Sequence, residues 1–381
     1  MTYRRAAIPA LAGGLLLTAL LWWAGASAQA LHLAGSHGVF GAELSTELDR
    51  WLTPWSYEPT SPLPLGDTGQ AGGAGGSHLS LYTTASQIRF AAVFAFFLPG
   101  ALLLIRRLPP VRGRVTASLL AVWAWGMVAG MLAMTVSAPW LIASMGHGSY
   151  RVLPRLSSAI ASGRQMAMAA ALVAAALTVL VARVTAKGGG PVPQNIVPER
   201  ATRLAATVGT AVIAVSLVVL SYQPVAAEIQ MFSPYDGMFS EPGELLRQWL
   251  LLGGWDLPSD GRIGAFLLYR AADVLLLAVV WVALRRLPVL LTRTTLPAMA
   301  LGAVGATVLG LLASGLLRIA MDDSGAPYGI AQLFAGLGGG LPAALLFGLA
   351  AGGAATVALR SAVGRAEAGA GAAGGSAPAG S

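Results

Sequence analysis

Eight stretches of this chain are apolar for roughly the ~20 residues that an α-helix needs to cross the hydrocarbon core of a bilayer. They run from about 7 to 26, 88 to 105, 115 to 138, 165 to 182, 204 to 222, 265 to 284, 295 to 317 and 342 to 359, bounded by Arg, Pro or Gly. Lipid offers no hydrogen-bond partner to an open backbone, so each stretch is expected to be a helix. The expected fold class is all-α integral membrane, with eight transmembrane helices. Composition argues the same way: 56% of residues are hydrophobic, 10% are charged and the mean hydropathy is +0.69, values foreign to a water-soluble domain. The absence of cysteine excludes disulfides, thiol catalysis, zinc–thiolate sites and iron–sulfur clusters.

The formal charge is +8, carried by 23 arginines and the single Lys187 against 16 acids. With its load of alanine and glycine the chain resembles the product of a high-GC bacterial genome. The basic excess describes orientation rather than a nucleic-acid surface. If the N-terminus is cytoplasmic, fifteen of the 24 basic residues fall in inner segments: Arg4, Arg5, Arg106, Arg107, Arg112, Arg114, Arg183, Lys187, Arg200, Arg203, Arg285, Arg286, Arg293, Arg360 and Arg365. Only Glu199 and Glu367 join them, which fits the positive-inside rule. Both termini are then cytoplasmic and the protein sits in the plasma membrane. Arg151, Arg155 and Arg164, three arginines in one outer loop, do not fit. The start Met1–Arg5, the apolar run to Trp23 and the small residues Ala26 to Ala30 also match a cleavable signal peptide, although the run exceeds the usual ~7–15 residues.

An internal duplication favours retention of that first helix. Arg106-Arg107-Leu108-Pro109 at the end of the second span recurs as Arg285-Arg286-Leu287-Pro288 at the end of the sixth. Glu47 to Trp51 resembles Glu244 to Trp249, with Trp55 and Trp255 following; Arg89 matches Arg270, and Tyr150 to Arg183 matches Tyr328 to Arg360 in spacing within one residue. The expected organisation is a first four-span repeat over 1–187, a cytoplasmic linker over 188–202, a second repeat over 203–366 and a disordered tail over 367–381. Two copies of an even number of spans share one orientation, so their pseudo-twofold axis runs along the membrane normal. The first outer loop, 27–87, holds an insertion rich in Gly, Pro and Ser at 60–80, expected to be disordered. Small-residue ladders at four-residue spacing, Gly302 to Ser314, Gly126 with Gly130 and Gly348 with Gly352, are expected to let helix backbones approach closely.

Each long outer loop carries a short amphipathic segment. In the first, Leu48, Trp51, Leu52 and Trp55 recur at helical spacing, with Glu47 and Arg50 placed to pair at i, i+3; in the second, Leu245, Trp249 and Leu252 do so, with Glu244 and Arg247 and then Trp255. Tryptophan favours the membrane interface, so these segments are expected to lie flat on the outer leaflet or to cap the bundle. All four histidines, His32, His37, His78 and His147, fall on the outer side, but at no metal-binding spacing, and neither a metal nor a cofactor is expected.

Within the spans, Asp273 stands one helical turn from Arg270. An intramembrane carboxylate is a candidate for function, with a structural ion pair to Arg270 as the alternative. Gly338-Gly339-Gly340 followed by Pro342 is expected to break the helix entering span 8 and so to mark a cavity, whereas the first copy has Ser162-Gly163-Arg164 in the matching place. No phosphate loop, dinucleotide fingerprint or nucleophile elbow is present, which points away from an enzyme, and no catalytic residue is assigned. Glu43, Glu47 and Asp49 invite comparison with polyprenyl-phosphate glycosyltransferases, but the duplicated four-span plan does not resemble that family. The expected function is a scaffold or complex subunit that binds an envelope protein or lipid through its extracytoplasmic loops. A transporter or lipid-handling channel with its site between the halves is the alternative. The expected partners are the bilayer and such an envelope component, with no role for nucleic acid.

Overall fold

The computed structural model of the protein describes residues 3–31, 42–59, 74–111, 113–145, 152–186, 197–234, 239–253, 263–321 and 326–374. In chain order the helices are α1 (Tyr3–Leu31), α2 (Ala42–Leu52), α3 (Ala74–Arg107), α4 (Val115–Ser144), α5 (Val152–Ala161), α6 (Arg164–Thr185) and α7 (Glu199–Ala214). There follow α8 (Gln223–Met231), α9 (Gly243–Leu250), α10 (Ile263–Leu290), α11 (Leu296–Met321) and α12 (Ala326–Gly374). A 3-10 turn, Thr53–Trp55, follows α2, and a π-helical segment, Val215–Leu220, prolongs α7. No strand occurs among the described residues.

Seven helical stretches of the described residues are long and apolar enough to cross a membrane: Arg5–Leu31, Ser77–Arg107, Val115–Ser144, Val152–Thr185, Glu199–Leu220, Leu296–Ala320 and Gly339–Arg365. The protein therefore has an all-α, multi-pass membrane fold. Helix α10, which carries the sixth expected span, is 28 residues long and packs against α7 and α11.

The long helices form two rings of four. In the first, α1 packs on α3 and α6, and α4 on α3 and α6; in the second, α7 packs on α10 and α12, and α11 on α10 and α12. The rings meet along α4 and α11, and α12 also reaches α4 and α6. Alanine dominates the contacts: Ala124, Ala171, Ala174, Ala175, Ala351 and Ala355 are fully buried, while Trp22, Trp23, Leu180 and Val357 point outward. In lipid, burial of apolar surface gives helices no reason to associate; close backbone approach does. The small-residue ladders supply it. A Cβ at Gly348 would lie 2.7 Å from Val304 Cα, one at Gly126 would lie 2.7 Å from Ala171 Cβ, and Gly352 meets the backbone of Ala300 directly.

Two tryptophans of α4 brace the first ring: Trp125 Nε1 donates to Phe96 O at 3.1 Å and Trp123 Nε1 to Met168 O at 3.1 Å. The first bond lands one turn before Pro99, whose ring disturbs the helical ladder there.

The helices run beyond the expected spans, and in two places helix stands where irregular chain was expected. Helix α3 begins at Ala74, inside the 60–80 insertion, and α12 continues to Gly374, well into the 367–381 tail. Alanine, the strongest helix former, is abundant in the tail, at 368, 370, 372 and 373. The rest of the insertion and tail, the linker up to 196, Trp255, His32, His37 and His147 lie outside the described residues.

The loop after α3 and the loop after α10 meet on one face of the bundle, where Thr292 N donates to Arg107 O at 2.9 Å. That face is called the arginine face below. The opposite face carries α2, α5, α8 and α9.

Candidate functional site

On the face opposite the arginines, the chain after α2 is fastened into the first ring. Trp55 is fully buried and its Nε1 donates to Gly163 O at 2.8 Å. Arg89, 3% exposed, donates from Nη1 to Pro54 O and from Nε to Ser137 Oγ at 3.2 Å. These bonds bring α3, α4, the 3-10 turn and the start of α6 together. Tyr57 donates to Trp22 O, and Tyr82 to Ser56 O at 2.9 Å, so the turn is held from three sides. Trp55, on a segment expected to lie on the outer leaflet or to cap the bundle, is a core residue. Trp51 is half-buried, and the pair of Glu47 and Arg50 forms as expected, at 3.3 Å on the exposed side of α2.

Trp55 also explains where the chain breaks. Gly163 sits at φ +70° between α5 and α6, in the left-handed region that glycine occupies at little cost. A Cβ there would collide with Met134 Cε and lie 2.9 Å from Trp55 Nε1. The break expected at Gly338-Gly339-Gly340 and Pro342 does not occur, because α12 runs through all four residues. Neighbouring helices enclose this segment: Leu341, Ala343 and Ala344 are buried, and lipid penalises any unpaired backbone, so a proline alone does not end the helix. The interruption thus lies in the first ring, where the indole wedge needs it.

The second ring is fastened differently. Ser216, on the π segment, donates to Leu250 O and accepts from Leu252 N at 3.2 Å. The wide π turn lets one hydroxyl hold the chain that leaves α9, whose Leu251 and Leu252 are buried. Trp249 packs against the core, half-buried, and Arg247 Nη1 lies 3.5 Å from Gln230 Oε1. Glu244 is exposed. Gln248 Nε2 donates to Ser157 O at 3.4 Å, linking α9 to α5 across the two rings.

Asp273 is held from two sides. Arg270 Nη1 lies 2.9 Å from Oδ2, as spacing predicts, and Arg318 Nη2 on α11 lies 2.8 Å from Oδ1. The carboxylate, 8% exposed, therefore joins α10 to α11 as well as balancing its own helix. Arg318 is invisible to any local spacing rule, since it lies 45 residues away.

A cavity of about 10 Å³, room for about one water, lies among Trp55, Met131, Met134, Gly163, Arg164 and Leu341. Leu341 comes from α12, so both rings line it. Arg164 Nε is buried there without a hydrogen-bond partner.

One feature of this face escapes sequence reasoning. Helix α8 has no buried residue, and Met231, Phe232 and, beyond it, Phe239 are 70%, 50% and 61% exposed. Its signal in the sequence is a Met-Phe pair that occurs twice, at 231–232 and 238–239, among mixed polar and apolar residues. Among the described residues no three His, Asp or Glu side chains gather as a metal site would require. Comparison with known proteins finds no matching family model, no matching curated protein and no matching solved structure.

Proposed function

We propose that this is an eight-span protein of the bacterial plasma membrane, built from two four-helix repeats, that serves as a non-catalytic subunit. In this reading the face opposite the arginines is extracytoplasmic and presents α2, α8 and α9 to an envelope protein or lipid. Both termini are cytoplasmic. The duplication is supported by helix adjacency: first with second and fourth, third with second and fourth, in each ring alike. The eighth span is α10, enclosed between α7 and α11.

The observation that carries the functional reading is the condition of Asp273. Two arginines from two helices hold it, the arrangement of a structural clamp rather than of a carboxylate left open to pick up ions. By contrast, the apolar residues Met231, Phe232 and Phe239 and the pair of Glu47 with Arg50 stand out at the same face. Photo-crosslinking from positions 58 and 239 in intact membranes is expected to give discrete adducts, lost in Met231→Gln/Phe232→Ser. If no adduct forms, and Asp273→Asn with Arg270→Gln instead stops a solute or proton flux in a folded protein, the subunit reading fails. The transporter reading then gains; its support is the cavity lined from both rings at Gly163 and Leu341.

A further inference from the structure

The opposite, arginine-bearing face holds a second feature that the subunit reading does not use. Two segments, 106–114 and 285–293, each a helix end with the loop that follows it, contain arginines and no acid. Glu199 approaches this face and is already taken, lying 2.7 Å from Arg203 and 2.6 Å from Arg285.

The two loops touch. Thr292 N donates to Arg107 O at 2.9 Å, and Arg114 Nη2 donates to Val289 O at 3.3 Å, so the Arg107 backbone and the Arg114 side chain both meet the stretch Val289 to Thr292. Arg114 is only 8% exposed. Its Nη1, together with Arg107 Nε and Thr295 Oγ1, is buried without a hydrogen-bond partner. Arg293, next to Thr292, is exposed, as is Arg286. A guanidinium nitrogen buried without an acceptor is costly, more so where no carboxylate stands nearby. Here α4 begins after Arg114 and α11 after Thr295. Those two helices pack together, and their N-terminal amides add partial positive charge to the same junction.

We propose that this junction binds the phosphate of an anionic phospholipid, clamped between the two rings by Arg107, Arg114 and Arg293 with Thr295 as a further donor. The missing acceptor is an oxyanion, and guanidinium forks match phosphate geometry. Depth selects the source. The apolar stretch of α3 ends at Arg107 and that of α11 starts at Leu296, so the site lies where the hydrocarbon ends and lipid phosphates sit. The lipid would then join the rings at a place where their loops already share a backbone hydrogen bond.

The test uses the full chain in mild detergent, titrated with dioleoylphosphatidylglycerol or dioleoylphosphatidylcholine and followed by native mass spectrometry and thermal melting. Phosphatidylglycerol is expected to remain bound and to raise the melting temperature more than phosphatidylcholine. Each neutralised arginine should weaken that binding about fivefold, from the roughly 1 kcal/mol that a basic side chain near an anionic surface contributes. Arg293→Gln, an exposed position that should leave the fold intact, therefore gives about a fivefold loss, and Arg107→Gln/Arg293→Gln a larger one. Arg50→Gln on the opposite face gives none. Equal binding of the two lipids, or an equal loss in Arg50→Gln, overturns the proposal. Millimolar glycerol phosphate reproducing the whole thermal shift overturns the lipid assignment, because the site would then take a soluble phosphate.

Discussion

At the scale of single residues, the membrane interior makes each polar group answer for its partners. Asp273 illustrates the point. Truncating it leaves Arg270 and Arg318 facing each other with no anion between them, and removing one partner of a buried ion pair commonly costs ~3–5 kcal/mol. Asp273→Ala is expected to fall in the lower part of that range, about 3 kcal/mol, because Arg318 retains a 36% exposed side chain and can turn toward water. Arg318→Gln should cost less, about 1 kcal/mol, since Arg270 still holds the carboxylate. Thermal melting of the two variants in detergent orders them; equal stability of Asp273→Ala and the parent would mean that the clamp contributes nothing. Half of this clamp is legible in the sequence. The i, i+3 relation of Arg270 and Asp273 follows from helix geometry. Arg318 follows only from how α10 and α11 pack, which the primary pattern does not contain.

At the scale of elements, hydrophobic length locates the spans because the bilayer enforces it. The ends depend on other terms. Helix α3 starts well before its apolar run, and α12 extends past its own, where alanine-rich chain continues a helix at little cost. The break between α5 and α6 is the instructive case. Three glycines and a proline failed to interrupt α12, whereas the single Gly163 interrupts the first ring. Glycine permits a left-handed turn, but what demands one is a neighbour, here Trp55 inserted from 108 residues away. Gly163→Ala should therefore cost about 1–3 kcal/mol from the forced backbone conformation and loosen the turn at Trp55. Gly339→Ala, where an added Cβ meets nothing within 4 Å, should be neutral or stabilising by up to about 1 kcal/mol. Measured by melting temperature and by proteolysis of the loop after α2, the two substitutions should move in opposite directions. A loss at Gly339 and none at Gly163 would restore the break to the second ring. Helix α8 is not legible in the sequence for a related reason: nine residues ending in Met231 lack the length that marks a span, and the exposure of Met231 and Phe232 becomes meaningful only once the bundle beneath them is placed.

At the scale of the whole molecule, the arrangement of charge and the arrangement of helices make one statement from independent sources. The positive-inside pattern puts residues 106–114 and 285–293 on one side of the membrane. The hydrogen bond from Thr292 N to Arg107 O puts them on one side of the bundle without reference to charge. On the proposed eight-span reading the number of crossings between them is even, with α10 crossing along with α4, α6 and α7. That parity gives the eighth span a test that hydropathy cannot. Fusions of a phosphatase that is active only outside the cytoplasm are expected to be silent after residues 110, 187, 293 and 365 and active after 59, 145, 239 and 321. The informative pair is 239 and 293. Their opposite outcomes require a crossing by α10 despite Arg270 and Asp273 in its first turns, which the clamp to Arg318 makes tolerable by leaving no carboxylate unpaired in lipid. Matching outcomes at 239 and 293 would leave α10 on one side of the membrane. They would also separate the two arginine loops, and the contact between Thr292 and Arg107 could not form.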